Sequence, residues 1–492
     1  MSIPVLLGID LGTSSVKVSA LARDGSEVAS GASTYGPARG QANNSSPSLG
    51  SWWDSVRQAT RQTLSMNRLS VKAIGLSGQM HGVVLVDSRG TGIYPPVPWN
   101  DTQATPLLPE INRYATPYAN ALLNMQAPGF AAAILFRLTR TMPELLARAR
   151  WALQPKDWLG AKLTGNFCTE VSDASATGLW DFTRSAWHDG FCRTLSLDKA
   201  LLPPALDGEQ VRGPLQDDAA DDLGLPPGIP VTMGRADTAA AQLGSSAPLI
   251  PGQSILILGT GGQLTQIIPS RPDSVPAGLL GLAGPLSDGY YLMAPTYAAG
   301  SSLNWLRTLW SLDWSELYDA AFAAVAAITN PVFTPFTPAV PGGRAKQSTA
   351  ALGGWHNLRL DHTQAQLIRT VLEGCLYDLR QGKDLLLSHP GATTPGDCIL
   401  VGGGARDARV RQLVADIFGI PIKCPDLLNA SARGAALTAC VAAGWSATTQ
   451  DSCAALPRPL IMYHPNQETA DIHSIQFERF KSFTGHRVGG TR

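Results

Sequence analysis

The chain has 492 residues, 44% of them hydrophobic, and its 38 Lys and Arg balance 38 Asp and Glu to a formal net charge of zero. That length suits about two to four domains, and the apolar fraction, with 49 Gly and 36 Pro, excludes disordered, collagen-like and coiled-coil chains. Charged residues are only 15%, against ~25% in ordinary domains, so no footprint for DNA, RNA or an anionic membrane is present; drift toward alanine accounts for the low charge, and a homodimer interface stays open.

The first residues predict strands over Ile3–Ile9, Ser15–Ala22 and Ser26–Ala32, with Gly12-Thr13-Ser14 as a tight turn between the first two. The N-terminal run lacks a basic region and Asp10 interrupts it, unlike a signal peptide. Trp52–Met66 has helical spacing, so Trp52 and Trp53 are expected to pack rather than to bind sugar. Val71–Ser77 and Val83–Asp87 read as strands around Gly78-Gln79-Met80-His81-Gly82, and Ala131–Arg150 as helix broken near Pro143. Residues 203–230 read as loop with short elements, before a strand Ile229–Met233.

The pattern then restarts. A strand Ser254–Leu258, the turn Gly259-Thr260-Gly261-Gly262 and a strand Gln263–Ile268 repeat the opening unit about half a chain later. Helices are predicted over Leu317–Ile328, Gln364–Leu387, Arg409–Phe418 and Ala430–Ala443, and strands over Cys398–Val401 and Ile420–Cys424. Two mixed α/β halves with a boundary near Gly244–Gly252 imply a cleft between them. The longest apolar stretches, such as Ala320–Ile328, fall far short of the ~20 residues of a membrane span. Seven cysteines, Cys168, Cys192, Cys375, Cys398, Cys424, Cys440 and Cys453, show no CxxC spacing. A soluble, cytoplasmic chain with reduced thiols is the expectation.

The chemistry-bearing residues cluster at the turns. Asp10 beside Gly12, Thr13 and Ser14, with Lys17 behind, joins a carboxylate to hydroxyls and main-chain donors that can hold phosphate and a divalent cation. One such turn is a weak signal; the second, Gly259-Thr260-Gly261, makes a polyphosphate clamp. Gly402-Gly403-Gly404-Ala405 is a strand–helix turn or a surface for a planar base such as adenine. Asp237, after Met233-Gly234-Arg235-Ala236, is equally a helix cap or a general base. Met80 and His81 offer a soft wall and an imidazole for a sugar hydroxyl. The remaining histidines (His188, His356, His362, His389, His464, His473, His486) lack metal-ligand spacing and are expected at the surface.

These strings together resemble the FGGY carbohydrate kinases of the actin-like ATPase superfamily, most closely the xylulose kinases. The resemblance runs from Leu6-Leu7-Gly8-Ile9-Asp10-Leu11-Gly12-Thr13 to Tyr463-His464-Pro465. Its sharpest string is Ser77-Gly78-Gln79-Met80-His81-Gly82, with Trp99-Asn100-Asp101, Pro155-Lys156-Asp157, Leu258-Gly259-Thr260, Leu372-Glu373-Gly374 and Gly402-Gly403-Gly404-Ala405-Arg406 in support. It implies two actin-like (ribonuclease H-like) ATPase domains with a deep interdomain cleft. Residues 1–246 would carry the sugar site and the base, and 247–492 the nucleotide site. It implies ATP and Mg²⁺, and transfer of phosphate to D-xylulose to give D-xylulose 5-phosphate. Asp237 would be the catalytic base, Asp10 the metal ligand, and Met80, His81, Trp99, Asp101 and Asp237 the sugar contacts. Gly12, Thr13, Ser14, Lys17, Gly259, Thr260, Gly261, Gly402, Gly403, Gly404 and Ala405 would hold the nucleotide.

Some positions depart from the family pattern. Gly234-Arg235-Ala236-Asp237-Thr238 stands where the family carries GGGDN, Gln103 where it carries Arg, and Pro341-Gly342-Gly343-Arg344 near its GERxP segment. A kinase for another ketose, polyol or sugar acid, and a non-catalytic sugar or nucleotide sensor on the same scaffold, are the alternatives. An actin-like filament or chaperone is more distant, since neither needs the Gln79-Met80-His81 turn.

Overall fold

Apolar residues run unbroken through Val5, Leu6 and Leu7 and resume at Ile9 and Leu11, as a strand covered on both faces requires. This strand, Ile3–Leu11, is the centre of a seven-stranded sheet. It pairs antiparallel with Ser15–Leu21, which pairs antiparallel with Glu27–Thr34, and on its other side it runs parallel to Leu69–Gly78. Pro230–Thr232 and the short strand Arg235–Ala236 join Leu69–Gly78 in parallel. The structure, a computed structural model, describes residues 2–35, 47–66, 68–246, 248–296, 298–335, 353–426, 429–455 and 460–484.

The second half builds the same pattern again. Ser254–Leu258 pairs antiparallel with Gly262–Ile268, which pairs antiparallel with Tyr290–Thr296, while Cys398–Val401 runs parallel to Ser254–Leu258 on its other side. This sheet also has seven strands. The duplicated arrangement is the two-domain actin-like, ribonuclease H-like fold. Each sheet has its own core: Leu7, Ile9, Ile74 and Val231 in the first, Leu256, Leu292, Val371 and Leu400 in the second. A third core, around Ile134, Leu135 and Phe191, belongs to the segment inserted between strands of the first sheet.

One helix crosses between the halves. Ala430–Thr438 comes late in the sequence but lies on the first sheet. Its backbone touches the strands directly, since a Cβ on Gly8 would come 1.9 Å from the Ala432 carbonyl oxygen and one on Gly75 1.7 Å from that of Ala435. Glycine is required at both positions by this approach.

Several elements differ from their sequence expectation. The helix expected to reach Ala443 stops at Thr438, and that expected from Leu317 spans Trp314–Ala323, started by an Asp313–Glu316 capping box. Pro143 separates two helices, Ala131–Thr141 and Pro143–Arg148. Residues 203–230 include the strand Val211–Pro214, which closes the edge of the first sheet, and the helix Asp217–Leu223. Trp52 and Trp53 pack as expected; Trp52 meets Trp158, and the Trp53 indole donates to Asp222 at 2.7 Å. The surface expectation fails at His473, buried with Nδ1 2.8 Å from the Tyr377 hydroxyl, and at buried His389, whose Nε2 is 3.2 Å from the Ser274 carbonyl. His486 and the Pro341–Arg344 string lie outside the described residues.

Candidate active site

In both sheets the parallel pair of central strands ends on the same side, and chain turns away there into glycine-rich segments. Open α/β sheets bind ligands at such carboxyl ends, where main-chain groups are left over by the strands. Asp10 is the penultimate residue of Ile3–Leu11; Gly259 follows Leu258 and Gly402 follows Val401. All of them line one cavity between the halves.

The first turn is held from two sides. The Tyr35 hydroxyl donates to the Gly12 carbonyl at 3.0 Å, and the Trp99 indole donates to the Thr13 hydroxyl at 2.9 Å. Lys17 is the register partner of Asp10 across the hairpin. In the second turn the carbonyls of Gly259 and Thr260 accept from the amides of Gly300 and Ser301, at 3.1 and 2.9 Å. Gly402 has φ of +102°, and a Cβ there would sit 2.4 Å from the Leu258 carbonyl oxygen, whereas a Cβ on Gly403 would meet nothing within 4 Å. Gly403 thus lines the cavity with open space beside its backbone.

Asp237 is the first residue of the helix Asp237–Gly244, whose cap position is Ala236 and carries no side-chain cap bond. Its carboxylate accepts from the Thr238 hydroxyl at 3.1 Å and lines the cavity. Burial pushes the Asp237 carboxyl up to about 7, and the Asp10 carboxylate adds to the rise against the weaker pull of Thr238 and Lys17. Burial also raises Asp10, opposed by Lys17 and by the Ser77 hydroxyl at 3.1 Å. Two carboxylates that disfavour each other's ionisation make a place for a cation. Among the described residues no group of three or more His, Cys, Asp or Glu is arranged to hold a metal alone. A hard ion taking one or two carboxylates and completing its shell from phosphate oxygens fits this donor set.

Met80, His81, Trp99, Leu280 and Met293 line the same cavity, with Met80 packed against Leu280 and Met293. His81 has φ of +73° and stacks on Phe130 at 4.6 Å with 13° between the rings. Its Nδ1 lies 2.6 Å from the Ala176 carbonyl oxygen, so that nitrogen bears the proton. Burial pulls the His81 imidazole down to about 4, which keeps it neutral at pH 7 and makes Nε2 an acceptor.

Asp10, Gly12, Thr13, Ser14, Lys17, Met80, His81, Trp99, Asp237, Gly259, Thr260, Gly261, Gly402 and Gly403 thus share one cavity. Asp101, Gly404 and Ala405 are not part of its wall. Asp101 is buried and spends its carboxylate on the Gln103 amide and side chain, at 2.9 and 2.7 Å. A Cβ on Gly404 would press on Leu258, and the Ala405 carbonyl accepts from Arg411 at 2.6 Å. Gln263, Leu280, Met293 and Ser431 also line the cavity and escaped the sequence reading. Gln263 could have been found, since it follows the second glycine turn in the repeated strand–turn–strand unit as Ser15 follows the first.

Comparison with known proteins agrees with this architecture. Residues 5–244 match the FGGY family of carbohydrate kinases, N-terminal domain, and residues 256–443 match its C-terminal domain. The chain is 31% identical over 422 residues to a xylulose kinase of Escherichia coli (strain K12), 84% of each sequence being covered. A ligand-bound xylulose kinase from Lactobacillus acidophilus has the same fold, with a TM-score of 0.84 and 21% identity over 98% of both chains. A gluconate kinase from the same organism superposes as well, with a TM-score of 0.83 and 21% identity over 98% of both chains. With both family domains matched in order across two duplicated sheets, the chain belongs to the FGGY family of carbohydrate kinases.

Proposed function

We propose that the protein transfers the γ-phosphoryl group of ATP to D-xylulose, giving D-xylulose 5-phosphate, with Asp237 as general base. The observation that carries this reading is the Asp237 carboxyl, held at about 7 in a cavity shared with both glycine turns. A carboxylate of that basicity takes a hydroxyl proton more readily than an ordinary one, and its pKa lies near the operating pH. The hydroxyl oxygen forms the new bond to phosphorus as its proton passes to Asp237 Oδ, and the bond from phosphorus to the bridging oxygen of ADP breaks. The Gly12–Ser14 and Gly259–Gly261 turns orient the polyphosphate from either side, and the Gly403 backbone receives the base. Mg²⁺, held by Asp10 with Asp237 close by, would offset phosphate charge during transfer. Such chemistry depends on positioning and electrostatics, with no covalent enzyme intermediate required. Sugar recognition falls mainly to residues 1–246, with Leu280 and Met293 of the second half beside it, and nucleotide binding mainly to 247–492.

The choice of sugar is supported at the Met80–His81 end. Among the described residues that line the cavity Lys17 is the one Lys or Arg, and it lies at the phosphate hairpin. The sugar end offers a neutral imidazole acceptor, an indole and the apolar Leu280 and Met293. That lining suits an uncharged polyol chain and gives a sugar-acid carboxylate no counter-ion. The near-equal likeness to xylulose and gluconate kinases from one organism keeps the second reading, another sugar as substrate, in play for the same experiment. ADP release at saturating Mg·ATP, measured with D-xylulose, D-ribulose, L-xylulose, glycerol and gluconate, separates them. The proposal expects the highest kcat/KM with D-xylulose. A wide preference for another sugar transfers the assignment, and thermal-shift binding without turnover makes the protein a sensor.

A further inference from the structure

Five ionisable side chains sit behind the cavity wall without solvent contact: Lys156, Asp157, Glu170, Asp173 and Arg212. Lys156 Nζ lies 2.6 Å from Asp157 and 3.1 Å from Asp173, and Arg212 lies 3.1 Å from the same Asp157 oxygen. Burying so many charges is costly and gains little stability in itself. Where their hydrogen bonds end is therefore informative. Lys156 Nζ also reaches the Met233 carbonyl, at 3.4 Å. On the other flank, the Ser172 hydroxyl accepts the Ala236 N–H at 3.0 Å. Met233 and Ala236 bracket the turn that leads into Asp237, and Gly234 within it has φ of +80°.

The Ser172 hydroxyl has no freedom to reverse. Its proton goes to Glu170, both of whose carboxylate oxygens are 2.8 Å away, and its lone pair is left for Ala236. Glu170 is itself fixed by the amides of Ser172 and Asp173, at 2.8 and 2.9 Å, as the cap of the short helix Val171–Ser175. The same segment supports the imidazole by a separate route. Gln154 links the Asp173 carbonyl to the His81 amide at 2.7 and 3.0 Å, and Ala176 accepts from His81 Nδ1.

We propose that Ser172 is a positioning residue for Asp237, its Glu170-locked hydroxyl fixing the backbone that aims the carboxylate at the substrate. The inference rests on the reading of Asp237 as base, and concerns a residue that touches neither substrate nor nucleotide. Removing the acceptor frees the Ala236 amide, and a misplacement of about 1 Å in a reacting group can cost about a hundredfold in rate. The sugar and nucleotide walls keep their own supports, so binding is spared.

The test is steady-state kinetics of the full chain with Mg·ATP and D-xylulose, with thermal melts, for Ser172→Ala, Ser172→Cys and Ser172→Thr. Asp237→Asn is run in parallel. Ser172→Cys keeps the volume with a weak sulfur acceptor and serves if Ser172→Ala does not fold. The expected result is a roughly tenfold to hundredfold fall in kcat for Ala and Cys, with both KM values within about twofold. Ser172→Thr, which keeps the hydroxyl, should recover most of the rate. The proposal is overturned if kcat of the folded Ala or Cys variant stays within about twofold of the parent or if KM rises in step with the loss. It is also overturned if Thr is as impaired as Ala, or if none of the three folds, which would make Ser172 a folding residue. If Asp237→Asn is inactive while Ser172→Ala is normal, the positioning claim alone fails. If Asp237→Asn retains turnover, the base assignment fails first.

Discussion

Replacing Asp237 by Asn should abolish turnover and, at neutral pH, make the folded protein more stable. An ordinary aspartate carboxyl titrates at 3.8, whereas burial and the Asp10 carboxylate hold Asp237 at about 7. Between those values the native state keeps a proton that the unfolded chain has released. The unfolded state binds fewer protons there, so the stability of the parent protein falls as pH rises, until the penalty becomes constant above about 7. About three pH units at ~1.4 kcal/mol each set a ceiling of about 4 kcal/mol. Water entering the open cleft relaxes part of the penalty, which brings the expected gain at pH 8 to about 2 kcal/mol. Asn keeps an oxygen for the Thr238 hydroxyl and carries no charge. Urea unfolding of both proteins from pH 5 to pH 8, in EDTA and without nucleotide, measures the gap. It should widen steadily up to about pH 7 and then level off. A gap independent of pH, or one that narrows, would refute a desolvated carboxylate at this position.

Other outcomes follow from single contacts. Gly75→Ala places a Cβ 1.7 Å from the Ala435 carbonyl oxygen and should destabilise by about 3 kcal/mol or more; an unchanged urea midpoint would contradict the packing of the Ala430–Thr438 helix on the first sheet. His81→Ala should raise KM for the sugar about tenfold while KM for ATP stays within about twofold, the loss of one hydrogen bond to a neutral acceptor; steady-state kinetics with each substrate varied checks this, and a larger effect on ATP would misplace the sugar end. Trp99→Phe removes the 2.9 Å bond to Thr13 and should raise KM for ATP by about threefold to tenfold, measured with D-xylulose saturating; an effect confined to the sugar would assign Trp99 to sugar contact alone.

The duplicated strand–turn–strand unit was legible because short apolar runs on either side of a glycine turn leave few other folds. Asp237 was not resolved by its sequence neighbours, because a helix-start aspartate reads equally as a cap. The structure gives the cap position to Ala236, and the proposed base role rests on the approach of Asp10 and a cavity wall from the other half, neither of which has a local signature. Asp101 misled in the opposite direction. Its spacing to Gln103 allows an Asx turn, and that local bond, at 2.9 Å, takes the carboxylate out of the cavity. Leu280 and Met293 were missed with their strands, Leu280–Ala283 and Tyr290–Thr296, which are separated by a glycine-containing turn. Lys156 was visible only as part of a string. That it is wholly buried follows from Glu170 and Asp173, which sequence reading had placed in no element.

The cleft is joined at its floor by backbone rather than by side chains. The helix that begins at Asp237 and the helix Ala430–Thr438 press together so closely that a Cβ on Gly244 would meet the Ala430 carbonyl oxygen at 1.9 Å, and one on Gly434 that of Ala240 at 1.8 Å. The Ser431 hydroxyl donates to the Asp237 carbonyl at 3.2 Å, and Ser431 itself lines the cavity. Contacts of this kind do not slide without breaking main-chain packing. Any relative movement of the two sheets has to leave this pair in place and be taken up elsewhere. The Asp237–Gly244 helix also packs Ala241 against Ile255, Ile399 and Val401 of the second sheet, so this joint is shared by the two halves. Asp237, the first residue of that helix, is thereby anchored to both halves at once at the cavity that both glycine turns line.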